Sequence, residues 1–234
     1  MSIADDIKSE IGTILSGNWS TRDGEQVPSP EEVQLGNSAV NLVGTVLYAD
    51  LADSTGIVNS YKNWFAAEVY KCFLRGACRV IQSNHGTITA FDGDRVMAVY
   101  IGDTQNTDAV GSALEINHVM VKMVNPMVHE KYPDVKIVFH HGIGIDRSPL
   151  FIARTGVRGS NDLVWVGRAA NYAAKLSSFR EGDYSTWITA EVYDNMRDSV
   201  KFSKGAAGSP SMWEKRTWTA RKIDVYCSGW MRSP

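Results

Sequence analysis

Only three cysteines, Cys72, Cys78 and Cys227, occur in 234 residues. They are too few, and odd in number, for a disulfide framework, and their spacing fits no metal motif. No apolar run reaches the ~18 residues that a membrane-spanning helix needs. Lysine and arginine total 24 against 26 acidic residues, and no long basic run appears. That balance argues against a generic nucleic-acid or anionic-membrane binder. The opening stretch, MSIADDIKSEIG, is acidic early and lacks the basic-then-apolar order of a signal peptide. Internal repeats, low-complexity tracts and the phosphate-binding pattern G-x-x-x-x-G-K-[ST] are missing as well. The expectation is a cytoplasmic protein with no membrane or nucleic-acid partner. A composition of 44% apolar and 21% charged residues fits an ordinary globular chain. Its length suits one large domain, or one domain plus an extension.

The extension is expected over 1–38. Ile3, Ile7, Ile11 and Leu15 recur at helical spacing, and GNWSTRDGEQVPSPEE reads as a linker. The main domain is expected over 39–234. Its first strand spans Asn41 to Asp50, and a helix follows over roughly 57–84 with Phe65, Val69, Cys72, Phe73, Gly76 and Val80 on one face. Strands at 87–91 and 94–100 flank Asp92-Gly93, a two-residue hairpin signal. A helix over roughly 107–124 exits between Pro126 and Pro133. A strand at 135–145 and a glycine loop lead to a short strand at 163–166. A helix over 168–178 comes next, then a strand at Trp187-Ile188, a helix over 190–198 capped by Thr189, and strands near 213–219 and 221–227. The order predicts an α+β fold: a ferredoxin-like βαββαβ core with additional C-terminal α/β elements.

Asp50 closes the first strand, and a carboxylate there is costly unless a cation or donors meet it. The predicted topology brings it to Asp94, beside the hairpin turn. Two close carboxylates repel unless a proton or divalent cation intervenes. With the backbone carbonyl of Leu51 they make a hard oxygen set suited to Mg²⁺ or Mn²⁺ shared with phosphates. The stretch Ala52 to Gly56, including Ser54 and Thr55, turns into the next helix and offers backbone N–H groups to an anion. His140 and His141 point to opposite sides of a strand and make a poor metal pair.

The segments VLYADLADSTG (46–56) and DGDRVMAVY (92–100) resemble the two metal-binding segments of class III nucleotidyl cyclase catalytic domains. GRAANYAAKL (167–176) resembles the family's third segment, and HHGIGIDRSPLFIARTGVRG the strand and glycine loop between them. The resemblance covers about 41–200 in the same order. It implies formation of a 3′,5′-cyclic nucleotide and pyrophosphate from a nucleoside triphosphate, with two Mg²⁺ or Mn²⁺ ions per site. Asp50 and Asp94 match the metal aspartates, and Asn171 the ribose-orienting asparagine. Lys175 falls where the family has an arginine that stabilises the α-phosphoryl charge, so it departs from the pattern; Arg168 is a candidate to share the role. Since the family draws these groups from opposite subunits, a homodimer with composite sites is implied. Lys215 and Arg216 are candidates for a phosphate-binding lysine.

Neither family code for a purine is present. Ala90 occupies the first base-reading position, and Val164, or Asp162 or Trp165 on a shifted loop, the second. Tyr48 replaces the usual phenylalanine, and Arg95 the usual small residue. This added polar bulk resembles the pyrimidine cyclases of bacterial antiphage defence. UTP, or else CTP, is the expected substrate; the alternatives are a purine cyclase and a catalytically degenerate nucleotide-binding or dimerisation module.

Overall fold

The computed structural model describes residues 2–157 and 159–234, and the chain divides into two compact units. The first comprises Met1–Val43 and Pro149–Gly167. It holds helix α1 (Ile3–Ser16), strand β1 (Ser20–Asp23), the first part of β2 (Ser38–Leu51), the far part of β5 (His141–Val157) and β6 (Ser160–Val166). A capping box starts α1, with the Ser2 side chain accepting from the Asp5 N–H and the Asp5 carboxylate accepting from the Ser2 N–H. The expected apolar stripe on α1 is present, but none of its residues is buried. The span expected as pure linker contains β1, which runs parallel to β2. Arg154 and Gly156, expected in a glycine loop, lie on strand instead, and Gly159 is a turn residue; residue 158 lies outside the described residues. β5 continues to Val157 and pairs with β6 as a long antiparallel hairpin, where Arg154 Nε also donates to Asn161 Oδ1 at 2.7 Å.

The second unit comprises Gly44–Ser148 and Arg168–Pro234. Its helices are α2 (Ser54–Ser60), α3 (Asn63–Ser83), α4 (Gln105–His118), α5 (Asn125–Lys131), α6 (Arg168–Leu176), α7 (Ala190–Asn195) and α8 (Asp198–Lys201). Its further strands are β3 (Thr87–Asp92), β4 (Arg95–Tyr100), β7 (Thr186–Thr189), β8 (Glu214–Trp218) and β9 (Ile223–Ser228). They are ordered β3-β4-β2-β5-β7-β9-β8. The first four are arranged as the split βαβ pattern requires, and the C-terminal strands extend that sheet. Leu47, Ala49 and Leu51 of β2 and Val96, Ala98 and Tyr100 of β4 face one core, with Phe65, Val69 and Phe73 of α3 and Val110 and Leu114 of α4. No helix among the described residues is long and apolar enough to cross a membrane, and all three cysteines are free thiols.

Several boundaries differ from expectation for identifiable reasons. The first core helix breaks at Tyr61 and Lys62, whose backbones are extended. The β3–β4 register pairs Asp92 with Arg95, so the turn residues are Gly93 and Asp94 rather than Asp92 and Gly93. Only Gly93 has positive φ, at 61°, which fits a turn with glycine at its first central position. The helix expected to end near 124 continues through a π-helical segment, Val119–Val124, into α5. That wider turn precedes Pro126, which has no N–H to give. The strand expected from 135 starts at His141, because side chains claim the backbone before it. Asn125 Nδ2 donates to Phe139 O at 2.9 Å, and Phe139 N donates to Asn125 Oδ1 at 2.8 Å. The Thr189 side chain does not cap α7; its hydroxyl donates to Asp146 at 2.5 Å.

As expected, His140 is exposed and His141 is buried. Burial, with lesser contributions from Arg180 and His140, pushes His141 down to about 3. The unfolded chain therefore binds a proton that the native chain refuses, and stability is lost as pH falls below the ordinary histidine range. Between pH 7 and pH 5 this costs about 2 kcal/mol. Urea denaturation of wild type and His141→Gln at both pH values should show the variant gaining on wild type by that amount at pH 5. An unchanged difference would refute the assignment.

Candidate active site

Alternation along β2 sends Leu47, Ala49 and Leu51 to the core and Tyr48 and Asp50 to the opposite face. Across β2 and β4, Tyr48 pairs with Met97 and Asp50 with Arg95. Across β3 and β4, Ala90 pairs with Met97 and Asp92 with Arg95. Directly opposed residues share a face. Two adjacent rows result: Tyr48, Met97 and Ala90, then Asp50, Arg95 and Asp92.

Asp50 is only 9% exposed. Arg95 Nε donates to its Oδ1 at 3.2 Å, and Arg180 Nη2 donates to its Oδ2 at 3.2 Å. The residue directly opposite Asp50 is thus Arg95, and Asp94 stands one position further, in the turn. Asp94 Oδ2 is buried without a hydrogen-bond partner. A carboxylate oxygen in that condition costs about 1–3 kcal/mol or more unless something positive reaches it. The donor chemistry fits a hard divalent cation: two carboxylates, one with an unsatisfied oxygen, beside the end of β2 at Leu51. Among the described residues no group of three or more His, Cys, Asp or Glu gathers as a metal cluster, at this site or any other.

Tyr48 is half-buried, and the Arg95 guanidinium carbon lies 6.0 Å from its ring centre. Burial raises the phenol, outweighing the opposing pull of Arg95, and Asp92 adds to the rise. Tyr48 is therefore a neutral hydrogen-bond donor at pH 7. Ala90 follows a register shift in β3 and contributes no polar group to its row.

The expected anion cradle is smaller than the sequence suggests. Ala52 N donates to His140 O at 2.9 Å, and Gly56 N donates to the Asp53 side chain at 3.3 Å. Asp53 adopts a left-handed conformation (φ 52°) as the N-cap of α2. A Cβ on Gly56 would lie 2.3 Å from an Asp53 oxygen, so this glycine serves the cap and its N–H is already committed. Ser54 and Thr55 keep the amides that can still face a ligand.

Helix α6 buries Ala169, Ala170, Ala173 and Leu176. Its backbone lies directly on β5: a Cβ on Gly144 would sit 2.0 Å from Ala173 O. Asn171 and Lys175, four residues apart, consequently share the exposed face of α6. Arg168 is committed elsewhere. Its Nε and Nη2 donate to the buried carboxylate of Asp146 at 2.9 and 3.2 Å, and Nη2 also donates to Arg147 O at 2.6 Å. Lys215 pairs with Asp224 at 2.6 Å, and Arg216 pairs with Glu214. Val164 and Trp165 belong to the first unit, on β6 opposite Ala153 and Ile152.

Sequence reasoning missed Arg180. An arginine just beyond a helix reads as a cap for its last carbonyls, and Arg180 Nη1 does donate to Ser177 O and Phe179 O at 2.6 and 2.9 Å. Nothing local in the sequence says that Nη2 reaches Asp50. Together with Ala52, His140, His141, Asp183 and Met231, Arg180 lines a cleft of about 800 Å³.

No family model matches the chain. Curated relatives match it almost end to end. A uridylate cyclase of Xanthomonas perforans is 45% identical over 98% of each chain, and one of Burkholderia cepacia 44% identical over 98% of each. A uridylate cyclase of a Rhodovulum species is 39% identical over 100% of this chain and 99% of its own. Among solved structures, a guanylyl cyclase superposes with a TM-score of 0.66 at 18% identity, over 83% of this chain and 95% of that one. An adenylyl cyclase from P. aeruginosa gives 0.64 at 17% identity, over 83% and 97%. The fold is the one these cyclase domains share.

The Arg168–Asp146 fork sets a testable division of labour on α6. Arg168→Ala leaves a fully buried carboxylate with one charged partner removed, and should destabilise the protein by about 2 kcal/mol. That is less than a fully buried pair would lose, because the guanidinium is half-exposed. Lys175→Ala should change urea-denaturation stability by no more than ~0.5 kcal/mol. Equal losses in both variants would contradict the assignment.

Proposed function

This chain belongs to the uridylate cyclase family, and from that premise we propose that it converts UTP to 3′,5′-cyclic UMP and pyrophosphate in a homodimer. The observation that carries the reading is the shared sheet face on which Tyr48 and Arg95 flank Asp50, beside the unsatisfied oxygen of Asp94. Asp50, Asp94 and the Leu51 carbonyl would hold two Mg²⁺ or Mn²⁺ ions. Bound there, such ions supply Lewis acidity toward the ribose 3′-oxygen and screen the phosphates. The Ser54 and Thr55 amides bind the triphosphate. Asn171 orients the ribose, and Lys175 meets charge on the α-phosphoryl group from the partner subunit. Lysine keeps the positive charge of the family's arginine without its planar fork.

The base choice follows from donors. Tyr48 O–H and the Arg95 guanidinium offer hydrogens, and the O4 edge of uracil accepts them. Cytosine presents an N4 amine at the same place, a donor facing donors. Ala90 supplies no group with which to read a purine, and a reader that is absent cannot discriminate in a purine's favour.

Incubation with each of the four ribonucleoside triphosphates and Mn²⁺, followed by product analysis, should yield cyclic UMP as the main product. Cyclic AMP or cyclic GMP as sole product would overturn the proposal, and the absence of any product would favour a degenerate nucleotide-binding module. The composite site is tested by complementation. Asp50→Ala and Lys175→Ala should each be inactive alone, whereas an equal mixture allowed to exchange subunits should regain about a quarter of wild-type activity, since half the dimers then carry one intact site. No recovery despite demonstrated subunit exchange would exclude a shared site.

A further inference from the structure

We propose that Arg180 is a positioning residue that holds Asp50 until metal and nucleotide arrive together, and then turns its guanidinium to the triphosphate. The inference rests on the reading of Asp50 and Asp94 as metal ligands and adds a residue that the reading did not contain.

The geometry gives Arg180 two separable functions. Nη1 is anchored on Ser177 O and Phe179 O, which fixes the end of the side chain past α6. Nη2 is left to reach the Asp50 carboxylate. Gly142 makes room for the anchored end: a Cβ there would stand 2.1 Å from Ser177 O and 2.2 Å from Nη1. A helix cap alone would not need that second contact. Arg180 also lines the 800 Å³ cleft, so its side chain is open to solvent on that side.

Charge decides the rest. Asp50, Asp92 and Asp94 bring three negative charges, and Arg95 and Arg180 bring two positive ones, so the cluster carries only one net negative charge without ligand. A divalent ion arriving alone would meet two guanidiniums at the carboxylate it needs, and like charges at such distances repel. A nucleoside triphosphate carries enough negative charge to offset two divalent ions and gives a displaced guanidinium a bidentate partner. The net charge is therefore the same in the empty and the fully loaded states, and swings positive in the state with metal alone. The arrangement couples metal binding to nucleotide binding.

The test counts bound Mn²⁺ by the paramagnetic resonance signal of the free ion, on the full-length protein. Without nucleotide, Arg180→Gln should bind Mn²⁺ roughly three- to ten-fold more tightly than wild type, the range expected when one partly exposed competing charge is removed. In the presence of Ca²⁺, Arg180→Gln should bind a non-hydrolysable UTP analogue more weakly by a similar factor. Arg180→Lys, which keeps charge and a donor, should fall between the two in both measurements, and it carries the test if the glutamine variant melts below the assay temperature. Unchanged or weakened metal binding in a folded variant overturns the role assigned to Arg180. Failure of wild type to bind Mn²⁺ even with the UTP analogue overturns the metal reading itself, a different outcome from the first.

Discussion

The Asp50 carboxylate is the point on which the site depends. It stands at the end of β2, nearly buried, with a guanidinium on each oxygen. A charge in such a place is tolerated only when it is paired. Each partner is delivered by a different part of the fold. Arg95 arrives by strand register, directly across β4. Arg180 arrives by the close packing of α6 on the glycines of β5. Displacing either element would leave Asp50 underpaired, so its charge is tolerated only with the strand register and α6 both in place.

Strand alternation separates stability from chemistry. The odd-numbered residues of β2 from Leu47 to Leu51 fill the core, and the even-numbered Tyr48 and Asp50 face the site. A slip of one residue would exchange the two sets and put an aspartate in the core. The register is therefore held by hydrophobic burial, and the site inherits a placement that its own polar contacts could not enforce. The half-exposed pairs around it contribute little to stability individually.

Much of this is legible in the sequence because it is local. The alternation in VLYADL, the glycine of the hairpin and the alanine face of α6 each announce their element within a few residues. The illegible parts are side chains that bond backbone far away in sequence. Asn125 satisfies Phe139 and thereby keeps the residues before His141 out of the sheet, although their apolar pattern reads as strand. Asp53 caps α2 through the Gly56 N–H and so removes an amide that the glycine-containing turn offers on sequence alone. Arg168 looks like a spare cation for the site, yet the buried Asp146 holds it. Arg180 looks like a cap and is also a partner of Asp50. In each case residue type is informative and the identity of the partner is not, because the partner is set by tertiary packing.

The departure at Lys175 is intelligible against that background. α6 is positioned by its buried face, with Ala169, Ala170 and Ala173 packed inward and its backbone close over Gly144, and by the Arg168 fork to Asp146 at its first residue. Asn171 and Lys175 stand on the opposite, exposed face. The identity of the cation at 175 is free to vary without moving the helix, which an arginine held by its own structural bonds would not permit. The structural arginine of α6 is Arg168, and the exposed position can be a flexible lysine that contributes charge rather than shape. A helix built this way separates where the phosphate-facing groups stand from which groups they are, and the glycines at 142 and 144 are the residues that make the separation possible.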